Sequence, residues 1–193
     1  MNLKIVKYPE PVLSQPGEPV NEFNDELRKF VADMFETMYA AQGIGLAAPQ
    51  VAVSKRVTVI DLSMGKVPAQ KLVLINPEVI FREGKQYEEE GCLSFPGLYG
   101  KVRRAKWIRA QAYNLKGELE EVSATDLEAR VWQHEVDHLH GDLFIDKMGP
   151  IAKLGVRSEV KKFEHDYRRA QERGEMPPDL EIEKRLDELE RLA

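Results

Sequence analysis

Residues 133–141 read QHEVDHLHG, and inside them His134-Glu135-Val136-Asp137-His138 is an HExxH pattern. An α-helix turns by about 100° per residue, so residues four apart lie about 40° from one another, one turn up. On a helix, His134 and His138 can therefore share one metal ion. Glu135 follows directly and projects to the flank, where a water on that ion would sit. Residues 125–128 read as a capping box, with Thr125 as N-cap and Glu128 reaching back. Leu127, Val131, His134 and His138 form one stripe at helical spacing, and Gly141 stops the helix. The histidines continue an apolar face, so the whole stripe is expected to be buried.

The chain around this helix has 193 residues and a net charge of −5. That length predicts one domain with a true core. Neither the charge nor any long basic run points to dedicated DNA binding. No run of apolar residues is long enough to span a membrane. The first residues, MNLKIVKYPEPVL, lack an apolar signal core and an Arg/Ser-rich transit character, so the cytoplasm is the expected compartment. Cys92 is the single cysteine, which excludes an intrachain disulfide. A lone thiol is either a small buried hydrophobe or a group with chemistry.

Residues 5–19 carry Pro9, Pro11 and Pro16, so they are extended or turned. Asn24 is an N-cap candidate with Asp25 and Glu26 in the first turn. Leu27, Phe30, Val31, Met34 and Met38 then mark an amphipathic helix to about Gln42, its methionines in the core. Residues 43–50, GIGLAAPQ, superficially fit a dinucleotide fingerprint, but they follow a helix and run into Pro49, where that fingerprint follows a strand and opens a helix. Their glycines are read instead as places where another backbone comes close. On local evidence Gln50 reads as a surface amide.

Residues 56–62 and 71–76 are strands by β-branched content, the second broken by Asn76-Pro77. Residues 87–90 form a short acidic segment leading into a loop with Gly91 and Cys92. Residues 107–114 alternate as a strand, and Asn114–Gly117 turns into another strand at 118–122. Residues 142–146 read as a short strand. A basic helix is expected from about 156 to 173, with Lys161, Lys162, Arg168, Arg169 and Arg173. After a Pro-Pro linker, residues 179–193 read as an acidic amphipathic helix with Ile182, Leu186 and Leu189 on one stripe. Strands first and the HExxH helix after them predict an α+β fold: antiparallel sheets packed around a central helix, with a C-terminal helix. Residues 1–174 are expected to form a single catalytic metallohydrolase domain and 175–193 an acidic helical extension.

A catalytic metal usually takes three protein ligands plus water. Downstream, His140 faces away from His138 and His165 sits on a charged helix. Cys92 is the best remaining candidate, since a thiolate is a strong soft ligand. Three motifs in order, GIGLAAPQ at 43–50, EGCLS at 90–94 and QHEVDHLHG at 133–141, resemble those of the peptide deformylases. So do the flanks YPEPVL at 8–13, INPE at 75–78 and LFID at 143–146, and the likeness extends over roughly residues 4–170, in the form of the bacterial type.

The resemblance implies removal of the N-formyl group from nascent polypeptides that begin with formyl-methionine. It implies Cys92, His134 and His138 as metal ligands. It also implies Fe(2+) as the native ion, with Zn(2+), Ni(2+) or Co(2+) as replacements. The residue chemistry agrees. Glu135 can take the water's proton and pass it to the leaving amine. The Gln50 amide and the Leu93 backbone N–H are candidate oxyanion donors. Residues 43–46 can receive an extended peptide as an added strand, with Gly45 allowing close approach. Ile44, Leu127 and Val131 would form the methionine pocket, with Arg130 beside it. Family analogy further implies that the basic helix touches the ribosome near the nascent-chain exit; packing of the tail on that helix is the competing expectation. Two rivals remain: a zinc endopeptidase, which needs a downstream third ligand, and a binding module with a structural zinc site, which needs a fourth.

Overall fold

The computed structural model describes residues 2–191 except Val67 and Ala69, with side chains described as far as Leu186. Its elements run α1 (Asp25–Ala40), β1 (Gly45–Ala47), β2 (Val57–Ile60), β3 (Leu72–Glu83), β4 (Gln86–Cys92), β5 (Phe95–Arg104), β6 (Trp107–Tyr113), β7 (Leu119–Thr125), α2 (Asp126–Leu139), α3 (Pro150–Gly155), α4 (Arg157–Glu172) and α5 (Asp179–Arg191). Five strands form one antiparallel sheet in the order β1-β2-β3-β6-β7, and β4-β5 form a second, two-stranded sheet. Helix α2 contacts all five strands of the larger sheet. Its other side meets β4 and β5, through His134–Glu90 and Arg104–Asp137. The expected α+β arrangement around the HExxH helix is what the chain adopts.

Local chemistry explains most of the elements. The Asn24 side chain accepts from the Leu27 N–H at 3.0 Å and starts α1. Val31, Met34, Phe35 and Met38 then pack on Leu46, Val57 and Val59 of the sheet. On α2, Ala129, Val131, Trp132 and Val136 pack on Ile60, Leu74, Ile108 and Ala110. Burying one such aliphatic or aromatic side chain is worth about 1.5–3 kcal/mol. The Asn114–Gly117 turn closes as expected, with the Gly117 N–H on Asn114 O and a left-handed Gly117. No helix among the described residues is long and apolar enough to cross a membrane.

Several expectations are corrected. Asn76-Pro77 does not break the second strand. β3 runs through it with a register shift between Ile75 and Glu78. Asn76 takes a left-handed φ of 49° and its side chain bonds both Val20 N–H and Val20 O at 2.8 Å. A bulge tolerates a proline because no ladder N–H is needed there. Residues 87–94, expected as a short acidic segment and a loop, belong to the β4-β5 hairpin, which spans 86–104. Residues 142–146 turn instead of forming a strand, the Asp146 carboxylate accepting from the Leu143 N–H. The capping box is absent: Thr125 stands at the N-cap but its side chain makes no capping bond. Leu127 departs from the buried stripe at 44% exposure, because it lines an open cleft.

The tail is no detached appendage. Ile182 and Leu186 enter a cluster with Val12, Leu13, Phe95 and Phe144. Asp179 accepts from Tyr167 and Gln171 of α4, each at 2.7 Å. The side chain of Leu189, the third residue of the expected stripe, and residues 192–193 at its end lie outside what the structure describes. The basic residues of α4 at 161, 162, 168, 169 and 173 stay exposed.

Candidate active site

Helix α2 presents His134 and His138 one turn apart, and β4 ends at Cys92 directly opposite. Cys92 Sγ lies 3.3 Å from His138 Nε2. The three candidate donor atoms of Cys92, His134 and His138 lie within 4.8 Å of one another. Cys92 is the last residue of a strand, not part of a free loop, and a register shift between Gly91 and Cys92 re-aims it. His140 and His165 are exposed, and neither joins this cluster among the described residues.

Glu90 was not singled out as a site residue by sequence reasoning, although it opens the EGCLS motif. Its Oε2 lies 3.1 Å from His134 Nδ1. A carboxylate only accepts, so His134 donates from Nδ1 and its Nε2 lone pair is left for an ion. Arg104 donates to both Glu90 oxygens at 3.0 Å and also to the Asp137 carboxylate. Burial alone would raise the Glu90 pKa, but hydrogen bonds from His134 and Arg104 lower it to about 2. The chain of His134, Glu90, Arg104 and Asp137 thus fixes one ring and ties β4 and β5 to α2. Removing one partner from such a buried pair costs about 3–5 kcal/mol. Burial pushes His138 well below the usual range, with the charges of His134 and Arg104 adding to it, so its imidazole is neutral and able to offer a lone pair.

Glu135 is buried beside this cluster. Its Oε2 lies 3.4 Å from Thr58 Oγ1, whose one hydroxyl proton has a nearer acceptor in Leu46 O at 2.9 Å. Gly45 of β1 faces its carboxylate, and a methyl group at that position would collide with it. The close approach at Gly45 is therefore to a side chain and not to another backbone. Burial pushes the Glu135 carboxyl up to about 7, against the pull of His134 and Thr58.

Gln50 is 1% exposed, so it is no surface amide. Its Oε1 accepts from the Ala47 N–H at 2.9 Å, which orients the amide. Nε2 then faces Cys92 Sγ and Ser94 Oγ, each at 3.3 Å. The buried short helical turn Ala48–Val51, with Pro49 near its start, holds this residue in place.

A cleft of about 540 Å³ opens above these groups. Ile44, Gly45, Gln50, Cys92, Leu93, Leu127, Arg130, Val131, His134 and Glu135 all line it. Sequence reasoning missed several other lining residues, Met64 and Tyr99 among them. Arg130 is partly occupied, donating to Glu89 O at 3.2 Å. Two strand edges flank the cleft: among the described residues β1 pairs only with β2, and β4 only with β5.

The family model for polypeptide deformylase matches residues 2–154. A peptide deformylase of Acidobacterium capsulatum is 56% identical over 160 residues, covering 83% of this chain and 94% of that protein. One of Thermodesulfovibrio yellowstonii is 45% identical, covering 82% and 96%. Among solved structures, the peptide deformylase of Plasmodium falciparum superposes with a TM-score of 0.82 at 41% identity, covering 86% of this chain and 97% of that one. Arabidopsis thaliana peptide deformylase 1B does so with a TM-score of 0.85 at 35% identity, covering 91% and 96%.

Proposed function

This chain belongs to the peptide deformylase family, and from that premise we propose how its residues divide the work. It is a metal-dependent hydrolase that removes the N-formyl group from the formyl-methionine of nascent polypeptides and releases formate. The endopeptidase reading is not favoured. One observation carries the assignment of roles: a thiol and two imidazoles converge beside a buried carboxylate on one wall of a peptide-sized cleft.

Cys92, His134 and His138 are the proposed metal ligands. Their donor set, soft sulfur with two imidazoles, fits a divalent transition metal, and the Glu90 contact leaves His134 Nε2 free to bind one. Fe(2+) is the proposed native ion, with Zn(2+), Ni(2+) or Co(2+) as replacements. When bound, such an ion lowers the pKa of a water and polarises the formyl oxygen. Glu135 accepts the proton from the attacking water and returns it to the leaving amine. The Gln50 Nε2 and the Leu93 N–H donate to the oxygen that becomes negative in the tetrahedral intermediate. The substrate backbone lies along the free edge of β1, its methionine side chain among Ile44, Leu127 and Val131 with Arg130 alongside. Residues 1–174 carry this chemistry in the cytoplasm, with 175–193 as an extension anchored through Ile182 and Leu186.

The direct test is release of formate from a formyl-Met peptide by protein purified anaerobically, together with its metal analysis. Fe(2+) with turnover supports the reading, and no formate with any of the four metals would end it. Cys92→Ser is expected to lower metal retention and rate together, because a hydroxyl replaces a strong thiolate bond. A serine variant with full metal content and full rate would remove Cys92 from the ligand set.

The exposed basic face of α4 is the proposed contact with ribosomal RNA near the nascent-chain exit. Ribosome co-sedimentation that weakens steeply with salt is the expected result. No binding by the full chain at low salt would rule the contact out.

A further inference from the structure

Met64 enters the catalytic cleft from the turn after β2, and nothing in the reaction described above uses it. Its backbone is left-handed, φ 55°, a conformation that a residue with a Cβ avoids. Its side chain is 47% exposed, a large apolar group left half in water. Both features are unfavourable, so something must hold the turn in place.

Asp61 does so. Its side chain is fully buried, and its carboxylate accepts from Ser63 N–H at 2.8 Å, Ser63 Oγ at 2.5 Å, Tyr39 OH at 2.6 Å and Gly65 N–H at 3.2 Å. Its carbonyl accepts from the Met64 N–H at 3.2 Å, and its own N–H donates to Ile44 O at 2.9 Å. Burial would raise the Asp61 pKa, but the hydrogen bonds from Ser63, Tyr39 and Gly65 outweigh it and leave the carboxyl at about 2. The turn is therefore fastened to α1 through Tyr39 and to the methionine pocket through Ile44. A solvent turn needs no such anchor.

We propose that Met64 is a specificity-determining residue that packs on side chains following the initiator methionine and favours bulky apolar ones, with Asp61 and Tyr39 as positioning residues. Gly45 of β1 pairs with Ile60, so the turn that begins at Asp61 stands at the end of the strand edge along which the peptide runs. The proposal rests on that placement of the peptide. A thioether on three rotatable bonds adapts to differently shaped apolar partners, which suits an enzyme meeting many N-termini.

The test compares formyl-Met-Leu-Phe with formyl-Met-Gly-Gly on the metal-loaded full chain. Formate from neither peptide with the unmodified protein would count against the reaction itself, not against Met64. With both cleaved, Met64→Ala is expected to lower the kcat/KM preference for the bulky peptide by about 5- to 10-fold, through KM, the size of losing one partly exposed apolar contact. A preference that stays within about twofold overturns the proposal. Tyr39→Phe removes one anchor while keeping the ring. It is expected to shift the preference the same way by less, and to add nothing in the Met64→Ala background, since residues acting as one unit are non-additive. An equal loss of kcat on both peptides, or full additivity, would make Tyr39 and Asp61 merely structural.

Discussion

Glu135→Gln is expected to fold, to keep near-normal metal content, and to lose at least about 10²-fold in rate, the lower range for removal of a general acid–base group. Glutamine fills the same space opposite Gly45 and can still meet Thr58 Oγ1, so packing around the position is preserved. Only the capacity to carry a proton is lost. Adjacency to His134 puts the Glu135 side chain about 100° round the helix, toward the flank of the histidine pair. It could not become a further ligand without unwinding the turn. Glu135→Asp should fail as well, because one methylene fewer withdraws the carboxylate from the water. Metal analysis, circular dichroism and turnover of a formyl-Met peptide decide the matter. The role is refuted if the glutamine variant loses its metal or turns over at the unmodified rate.

Gln50→Ala is expected to lower kcat by about 10²-fold or more with metal content intact, the magnitude for losing an oxyanion donor. The structure shows a second consequence. Alanine also deletes the acceptor for the Ala47 N–H and the donors facing Cys92 and Ser94. Gln50→Glu separates these effects, since it keeps an oxygen for Ala47 but offers no N–H to the reacting oxygen. Both variants should therefore lose kcat. A change confined to KM would leave Gln50 as a group that only positions substrate.

The helices were legible because their information is local. Asn24 and the stripe from Leu27 to Met38 lie within a few turns of each other, and α1 follows them. HExxH likewise places two histidines one turn apart by helical spacing alone, and Ile44, Leu127 and Val131 line one cavity. Leu127 shows the limit of periodicity: it shares the stripe but faces the open cleft, where no element among the described residues covers it.

The β4-β5 hairpin was not legible, and the reason is equally physical. From Leu98 to Arg104 the burial of β5 alternates, but two of the inward positions are Gly100 and Arg104, so the sequence shows no apolar period of two there. Glu90 was read only as part of a short acidic segment and Arg104 was not singled out, since a single charged residue gives no sign of its partner fourteen positions away. Gln50 read as a loop amide for the same reason. By itself, then, the sequence determined the HExxH helix, the amphipathic helices and, through three ordered motifs, the family. Only the tertiary structure decided that Glu90 orients His134, that Gln50 is buried against Cys92 and Ser94, and that Met64 lines the cleft. Those encounters depend on strand pairing and on buried hydrogen bonds between distant segments, and no spacing along the chain encodes either.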